Sequence, residues 1–394
     1  MTIEERRIPF AVPDVGESEI SAMAEVMRSG WITTGPKTKE FETAFSARVG
    51  ADHAVMVNSC TAALHLALEA IGLGEGDEVI VPSMTFAATA NVVRFLGARP
   101  VLVDVRASDH NVSPEAIEAA LSPRTKAIIP VHFAGLPCDM DEISSIAKDH
   151  GAYVIDDAAH CFPCDYRGRA VGSLADITCF SFYATKTMTT GEGGAAVTAN
   201  PAWAERMRMM SLHGIAGAAW KRYLVGGKWY YEVHEPGYKY NLTDIASAIG
   251  LVQLGRSAQM LRRREEIARA YDAAFGDLDA YELPIRLPDR GHARHLYVLK
   301  LRRGVLNMTR DEFIEMLGRN GIGTSVHFIP LHMHPYYRDL YGYSPDDFPV
   351  ARDLFERSVS LPIFSRMSDE DVCRVIEVVR TLAYRTVALA SAAE

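Results

Sequence analysis

Residues 79–95, VIVPSMTFAATANVVRF, show the pattern that decides the fold class. The first four residues are an apolar run rich in β-branched side chains and end at a proline, which predicts a short buried strand. Residues 86–95 have the spacing of apolar positions that predicts a helix directly after the strand. A buried strand followed by a helix is the unit from which parallel sheets are built.

The same alternation of apolar strands and helices extends outward from about residue 52 to residue 200. The predicted elements are helices at 61–71, 113–121 and 140–149 and strands at 55–57, 101–105, 127–133, 153–155, 177–182 and 195–198. Strands that are apolar throughout imply an α/β fold whose mostly parallel sheet is covered by helices on both faces. After Pro284 a smaller α/β unit is predicted, with strands at 295–301 and 324–328.

Composition excludes several classes of protein. The chain has 394 residues, of which 48% are hydrophobic and 23% charged, as in a folded globular protein of roughly two to three domains. Its formal net charge of −9 argues against nucleic acid as the main partner. The apolar runs are too short to span a membrane, and the first ten residues, MTIEERRIPF, are too charged for a signal peptide. Six cysteines are too few for a secreted disulfide framework, so a cytoplasmic location is expected.

The densest cluster of chemically active residues is SFYATKTMTTGEGG, residues 181–194. An apolar strand runs here into Lys186 and then into small, flexible residues. A lysine at the carboxyl end of a strand enters the ligand crevice of a parallel sheet. Loss of water there makes its amine nucleophilic, as Schiff-base formation requires. The alternative is a surface lysine in a polar loop, which the spacing alone does not exclude.

Three further strand ends or loops carry polar or aromatic residues. In VIDDAAH, residues 154–160, two carboxylates end a strand; a buried one needs a cation such as a protonated pyridine nitrogen, although an aspartate that caps the next turn is the alternative. In NSCTAA, residues 58–63, a polar loop opens a helix whose N-terminus can hold an anion, as any helix N-terminus can. Phe86 is able to stack on a planar ring, although a core phenylalanine is the commoner case. Together the clusters offer partners for a phosphate, a ring nitrogen, a ring face and an aldehyde, which predicts pyridoxal 5'-phosphate as cofactor.

Two other motifs predict no site. Cys161 and Cys164 form a CxxC pair, but a zinc site needs two more ligands and the sequence has no second CxxC, so neither a metal nor a redox function is expected. Residues 262–266, RRREE, are typical of a solvated helix face.

The chain resembles the DegT/DnrJ family of nucleotide-sugar aminotransferases, which use pyridoxal phosphate and have PLP fold type I. The resemblance extends from about residue 8 to residue 382. The stretches that carry it are GWITTGPKTKEFE (30–42), SCTAALHLAL (59–68), GDEVIVPSMTFAATANVV (76–93), AIIPVHFAGLPCDMDEI (127–143), VIDDAAH (154–160), SFYATKTMTTGEGG (181–194) and GYKYNLTDIASAIGLVQL (237–254). It implies a large cofactor-binding domain at 1–245 and, at 246–394, a linking helix with a small C-terminal α/β domain.

The resemblance also implies roles for individual residues. Lys186 is the catalytic lysine that bonds to the cofactor and then moves protons, and Asp157 is the carboxylate that pairs with the pyridinium nitrogen. The residues implied to bind the cofactor are Ser59, Cys60, Thr61, Phe86, Asp157, His160, Ser181, Lys186 and Asn241. The substrate contacts, which are less specific, are Thr34, Tyr183, Lys221, Arg222 and His327. The sequence departs from the family at His160, where many members have Gln, at Tyr183, where some have His, and at Thr187, where Asn is frequent.

The activity implied by the resemblance is transfer of an amino group from L-glutamate to a keto-sugar carried on a nucleotide diphosphate, with pyridoxamine 5'-phosphate as the intermediate form of the cofactor. The C4 ketone is favoured, because the chain looks especially similar to members that make UDP-4-amino-4-deoxy-L-arabinose and perosamine. The alternatives are a regulatory protein that binds pyridoxal phosphate or a sugar nucleotide without turnover, a C3 aminotransferase, and a sugar 3-dehydratase. Lys186 argues against the dehydratase branch, where histidine replaces the lysine.

A homodimer with shared active sites is expected, and neither nucleic acid nor a membrane is an expected partner. Residues 220–240 are rich in Trp and Tyr, which are enriched at interfaces, although these rings could also cap the core of their own subunit. The resemblance favours the interface, because the family's counterpart of Asn241 completes the phosphate site of the neighbouring subunit.

Overall fold

The computed structural model describes residues 7–215 and 230–390. The helices are α1 (Glu17–Ser29), α2 (Pro36–Val49), α3 (Cys60–Ala70), α4 (Ala87–Phe95), α5 (Pro114–Ala120), α6 (Met140–His150), α7 (Pro201–Met210), α8 (Asp244–Phe275), α9 (Arg310–Arg319), α10 (Pro335–Tyr341), α11 (Pro349–Arg357) and α12 (Asp369–Ala390). The strands are β1 (His53–Val57), β2 (Glu78–Pro82), β3 (Arg99–Val103), β4 (Thr125–Ile128), β5 (Tyr153–Asp157), β6 (Asp165–Tyr166), β7 (Arg169–Ala170), β8 (Ile177–Ser181), β9 (Gly194–Thr198), β10 (Tyr281–Glu282), β11 (Tyr297–Leu301) and β12 (Ser358–Leu361).

A seven-stranded sheet in the order β1-β9-β8-β5-β4-β2-β3 is the centre of the larger part of the chain. The strands from β8 to β3 are parallel, and β9 runs antiparallel to both of its neighbours. Successive residues of a strand belong to different hydrophobic clusters: Val79 and Val81 pack in one, and Ile80 packs in the other. Both faces of the sheet are therefore buried, and the predicted mostly parallel α/β sheet is confirmed.

A three-stranded antiparallel sheet, β10-β11-β12, organises the C-terminal part around a third hydrophobic cluster. The strand predicted at 324–328 is wrong, because Ser325 makes only an isolated bridge to Ser360 while β12 itself pairs with β11. The long helix α8 begins beside the predicted domain boundary at 245, and that boundary stays a prediction. Within the described residues, the helices lack the combination of length and apolarity that crossing a membrane demands.

Residues 262–266 of α8 correct the prediction of a solvated helix face. Arg264 is only 3% exposed, and its Nη1 donates hydrogen bonds to three backbone carbonyl oxygens. Glu265 accepts hydrogen bonds from the side chains of Arg269, Arg286 and Arg294. The segment around residues 286–295 covers this side of the helix, so Arg264 is buried and Glu265 partly buried, while Arg262 and Glu266 remain exposed as predicted.

Asp244, the first residue of α8, fixes the start of α2. Its Oδ1 accepts hydrogen bonds from the peptide nitrogens of Gly35 (2.7 Å) and Thr38 (2.9 Å) and from the Thr38 hydroxyl (2.7 Å). Its Oδ2 accepts a fourth from the peptide nitrogen of Lys37, at 3.0 Å. The N-cap of α2 is Gly35, which has no side chain, so a carboxylate more than 200 residues away satisfies the helix N-terminus. This contact holds Thr34 beside residues 241–242.

Candidate functional site

A cavity of about 470 Å³ opens where the parallel strands end. Its walls come from the carboxyl ends of β2, β5 and β8, the start of α3, and residues 295–328 of the C-terminal part. The predicted site residues that line it are Ser59, Cys60, Thr61, Phe86, Asp157, His160, Ser181, Tyr183, Lys186 and His327. The strand ends meet at one edge of the sheet, as expected for a doubly covered parallel sheet.

Lys186 lies in the loop that follows β8, five residues after its last residue. A turn positions it, in which its peptide nitrogen donates to the carbonyl of Tyr183 at 2.9 Å. Burial lowers the pKa of the Lys186 amine from its ordinary value to about 8, while Cys60 and Asp157 oppose that shift. A much larger fraction of this amine is therefore neutral and nucleophilic near neutral pH than of an exposed lysine.

Asp157, the last residue of β5, is buried at the base of the cavity. Its Oδ2 accepts a hydrogen bond from the Thr89 hydroxyl at 2.9 Å, and its Oδ1 accepts one from the Ala159 peptide nitrogen at 3.1 Å. Burial raises the pKa of this carboxyl, and the two hydrogen bonds oppose that shift. The charge of Lys186 also opposes the rise, although none of the ion pairs found among the described residues includes Asp157. A buried carboxylate in that position fits a cationic ligand group such as a protonated pyridine nitrogen.

The neighbouring Asp156 is separated from the cavity because successive side chains of a strand point to opposite faces. It is fully buried, and its Oδ2 lies 2.9 Å from Nε2 of His132. The Nδ1 of His132 accepts a hydrogen bond from the Cys138 peptide nitrogen, so the ring proton is on Nε2. This Nε2–H group donates a hydrogen bond to Asp156. Of the two carboxylates in VIDDAAH, only Asp157 lines the cavity.

The start of α3 forms the part of the cavity suited to an anion. Ser59 is the N-cap, and its hydroxyl accepts a hydrogen bond from the Ala62 peptide nitrogen at 3.1 Å. Cys60 and Thr61 form the first turn, whose N–H groups have no acceptor within the helix. Strand β9 packs tightly behind this turn, since a Cβ at Gly194 would lie 2.5 Å from the carbonyl carbon of Ser59. A phosphate group fits this helix N-terminus.

Two side chains suited to the faces of a planar ring also line the cavity. Phe86, just before α4, is 62% exposed, so it is not a core residue and a bound ring would cover it. His160 is buried, and its Nδ1 has no hydrogen-bond partner among the described residues. Burial, followed by the charge of Lys186, lowers the pKa of His160 well below its ordinary value, so the imidazole is neutral. Together with the cavity and the start of α3, these residues fit a phosphorylated pyridine.

The C-terminal part adds residues that the sequence did not single out. His295 and Phe328 line the cavity, with ring centroids 4.4 Å and 5.8 Å from that of His160. His327, which was predicted, has its Nδ1 2.9 Å from the Ser360 hydroxyl, and burial lowers its pKa to about 4. His295 and Phe328 carry no local motif; only their contact with residues more than 100 positions earlier identifies them.

Two predicted residues, Thr34 and Asn241, are not brought to the cavity. Thr34 and Asn241 lie outside its lining and contact each other, with Asn241 Nδ2 donating to the Thr34 hydroxyl at 2.6 Å. Lys239 donates a hydrogen bond to the side-chain oxygen of the same asparagine. Lys221 and Arg222 lie outside the described residues. The part of Asn241 in a neighbouring subunit's site therefore stays a prediction.

Comparison with known proteins matches nearly the whole chain. The model of the DegT/DnrJ/EryC1/StrS aminotransferase family matches residues 13–380. The spore coat polysaccharide biosynthesis protein SpsC of Bacillus subtilis is 49% identical over 376 residues, which are 95% of this chain and 97% of SpsC. Spr1654 from Streptococcus pneumoniae, described as a sugar aminotransferase and solved in its PMP form, has a TM-score of 0.90 and 37% identity, covering 96% of this chain and 100% of its own. Helicobacter pylori PseC, an aminotransferase of pseudoaminic acid biosynthesis, has a TM-score of 0.90 and 28% identity, covering 96% and 100%.

Proposed function

The chain belongs to the DegT/DnrJ/EryC1/StrS family of pyridoxal-phosphate-dependent sugar aminotransferases, and on this basis we propose that it transfers the amino group of L-glutamate to the C4 ketone of a nucleotide-diphosphate-linked sugar. The observation that supports this most is the pairing of Lys186 and Asp157 in one cavity. Burial lowers the pKa of the Lys186 amine to about 8. Asp157 is a buried carboxylate in a position to bind a cationic group of a ligand.

We propose that Lys186 acts as both anchor and proton carrier. When bound, pyridoxal phosphate supplies an aldehyde that bonds to amines and a ring that stores the electron pair released beside the amine. The Nζ of Lys186, displaced by the amino donor, takes the proton from the donor's α-carbon. A pKa near 8 suits this step, because the amine is basic enough to take a proton and neutral often enough to be available.

The remaining residues bind and orient. Asp157 holds a proton on the ring nitrogen, and the hydrogen bonds from Thr89 and the Ala159 peptide nitrogen keep its two oxygens in place. Phe86 and His160 would flank the ring of the bound cofactor. The residues that hold the phosphate are Ser59, Cys60, Thr61 and Ser181, at the start of α3 and the end of β8. Tyr183 and His327 line the same cavity and face the substrate side.

The choice of C4 and of L-glutamate rests on resemblance within the family. A C3 aminotransferase remains the nearest alternative, and a regulatory protein that binds the cofactor without turnover is the alternative from another class. We place the reaction in the cytoplasm, whose reducing conditions agree with the six free thiols of the chain.

Absorbance spectroscopy tests the reaction. The enzyme with bound cofactor should show a band that bleaches when L-glutamate is added, and Lys186→Ala should show neither the original band nor the bleaching. The pyridoxamine form, incubated with UDP-, dTDP- and GDP-linked 4-keto-sugars, should regain the band with one of them. A band unmoved by any amino acid would favour the regulatory protein, and recovery with 3-keto-sugars alone would favour the C3 aminotransferase.

We further propose that the working unit is a homodimer in which Asn241 completes the partner's phosphate site. Asn241 lies outside the cavity of its own chain, and Tyr230, Tyr231 and Val233, a few residues earlier, are more than half exposed. Subunits of Lys186→Ala and Asn241→Ala should be mixed under conditions in which exchange is demonstrated. A hybrid dimer has both lesions in one site and neither in the other, so activity should rise above that of the two parents combined. No recovery despite exchange would show that Asn241 does not act across the interface.

A further inference from the structure

The CxxC pair directly follows the cavity residue His160 and has no part in the proposed reaction. The Sγ of Cys161 lies 3.6 Å from the carbonyl oxygen of Gly135, and the Sγ of Cys164 lies 3.8 Å from the same oxygen. Both are free thiols. The fold therefore brings the two sulfur atoms to one side of the loop, which the spacing of the motif alone does not ensure.

The two thiols differ in their surroundings. Cys161 is 1% exposed, and burial raises the pKa of its thiol well above the ordinary value. Cys164 is half-buried and is the more accessible thiol of the two. The next thiol in this region, Cys138, is fully buried and donates a hydrogen bond to the Val131 carbonyl at 3.3 Å. One accessible and one buried thiol side by side resemble the attacking and resolving positions of a thiol pair that undergoes exchange.

A metal centre does not account for the pair. Across the described ranges, no group of three or more His, Cys, Asp or Glu side chains is arranged to hold a metal ion. The chemistry that two neighbouring thiols can perform without further ligands is formation of a disulfide with each other.

We propose that Cys161 and Cys164 form a reversible redox site, which closes to an intrachain disulfide when a low-molecular-weight disulfide reaches Cys164. The Cys164 thiolate attacks one sulfur of the small disulfide, forms a mixed disulfide and releases one small thiolate. The Cys161 sulfur then attacks the Cys164 sulfur, its proton passes to the departing small thiolate, and a second small thiol is released. The protein thiols are oxidised to one disulfide, and the small disulfide is reduced to two thiols.

Closing this bond constrains one wall of the cavity. The Cys161 peptide nitrogen donates to the Ala158 carbonyl at 2.9 Å, which ties the thiol to the turn that carries His160. Gly135 packs against the same turn, since a Cβ there would lie 2.8 Å from the His160 carbonyl oxygen. A disulfide at Cys161 would therefore restrain the turn that carries His160, whose imidazole lines the cavity together with Lys186. Formation of the bond itself does not depend on which sugar or amino donor the enzyme uses.

Peptide mapping tests the site without any variant. Trypsin releases residues 149–167, which contain both cysteines of the pair and no other, while Cys138 lies in the preceding peptide, residues 127–148. The native protein with bound cofactor is incubated with oxidised glutathione, quenched in acid, alkylated under denaturing conditions and digested. We expect residues 149–167 without alkyl groups and lighter than the reduced peptide by two hydrogen atoms. Dithiothreitol should restore a doubly alkylated peptide.

Cys373, the exposed thiol of α12, is the internal control for the reagent. The proposal is overturned if Cys373 carries glutathione while residues 149–167 stay doubly alkylated. It is equally overturned if Cys164 stops at the mixed disulfide, or if residues 149–167 are cross-linked to residues 127–148. Cys161→Ser should stop at the mixed disulfide on Cys164, and Cys164→Ser should leave Cys161 unmodified. Should either variant fail to fold, the wild-type peptide map still decides.

Discussion

Asp244→Ala should destabilise the protein by removing a helix cap that comes from a distant part of the sequence. The side chain is 2% exposed and accepts four hydrogen bonds from residues 35–38, at 2.7 to 3.0 Å. Alanine leaves three peptide N–H groups and one hydroxyl without that acceptor at the start of α2. The same change loosens the segment that holds Thr34 against Asn241.

The magnitude follows from the number and kind of hydrogen bonds. Losing an ordinary N-cap side chain costs about 0.5–2 kcal/mol, and a hydrogen bond to a charged group contributes about 1.5–3 kcal/mol. Because the four bonds share one carboxylate and water replaces part of it, we expect a loss of about 4 kcal/mol rather than the full sum. At about 2.1 cal/mol/K per residue, unfolding of the whole chain has an entropy of about 0.8 kcal/mol/K, so the melting temperature should fall by about 5 °C.

Thermal unfolding followed by circular dichroism measures this shift, and Asp244→Asn sharpens it. Three of the four bonds end on Oδ1, so an asparagine that keeps this oxygen should lose less than half as much stability as alanine. Asp311→Ala is the matched control, since Asp311 also lies in the first turn of a helix, α9, but its side chain is 80% exposed. We expect that control to change stability by no more than about 0.5 kcal/mol. Equal melting temperatures for Asp244→Ala and the wild type, or equal losses for Ala and Asn, would refute the reasoning.

The other predictions concern the cavity and the α8 ion pairs. Lys186→Ala should retain pyridoxal phosphate but not covalently, and borohydride fixation at one specific lysine of this variant would show that Lys186 has been misassigned. Asp157→Asn should preserve the fold yet slow the half-reaction with L-glutamate by orders of magnitude in stopped-flow absorbance, because about 1.4 kcal/mol of lost stabilisation is tenfold in rate; near-normal rates would point to another ring partner. Burial alone would raise the pKa of Glu265, but hydrogen bonds from Arg286 and Arg294 lower it to about 2. The contribution of Glu265 to stability is therefore complete above the ordinary carboxyl pKa and is lost as the pH falls towards 2. The free energy of unfolding of Glu265→Gln, measured with urea, should depend less on pH across that window than that of the wild type. Parallel pH profiles for variant and wild type would contradict this.

The sequence alone was sufficient for the sheet and for most of the residues that surround the cavity. Short apolar runs followed by helical spacing define a parallel sheet, and the polar residues after those runs must meet at the carboxyl ends of its strands. Lys186, the pair Asp156 and Asp157, and the start of α3 could be placed together on that ground, because strand direction is fixed by the alternation with helices; the choice of Asp157 within the pair came from the family resemblance. The prediction that Phe86 stacks on a ligand ring, rather than packing in the core, is supported by the exposure of its side chain.

The tertiary structure decided what depends on which side a residue faces and what approaches it from far along the chain. Asp156 and Asp157 have the same sequence context. Because both faces of β5 are buried, hydrophobic patterning cannot say which carboxylate points into the cavity. In the structure, Asp156 binds His132, whereas Asp157 lines the cavity and is available to a ligand. Arg264 looked like a solvated charge until the carbonyl oxygens of residues 294, 295 and 363 surrounded it. His295 lines the cavity because the C-terminal part of the chain packs against His160. Local periodicity indicates how a segment is buried but does not identify its neighbours. Those neighbours are set by packing between separate segments, which are 24 residues apart for Asp156 and His132 and 99 residues apart for Arg264 and Ile363.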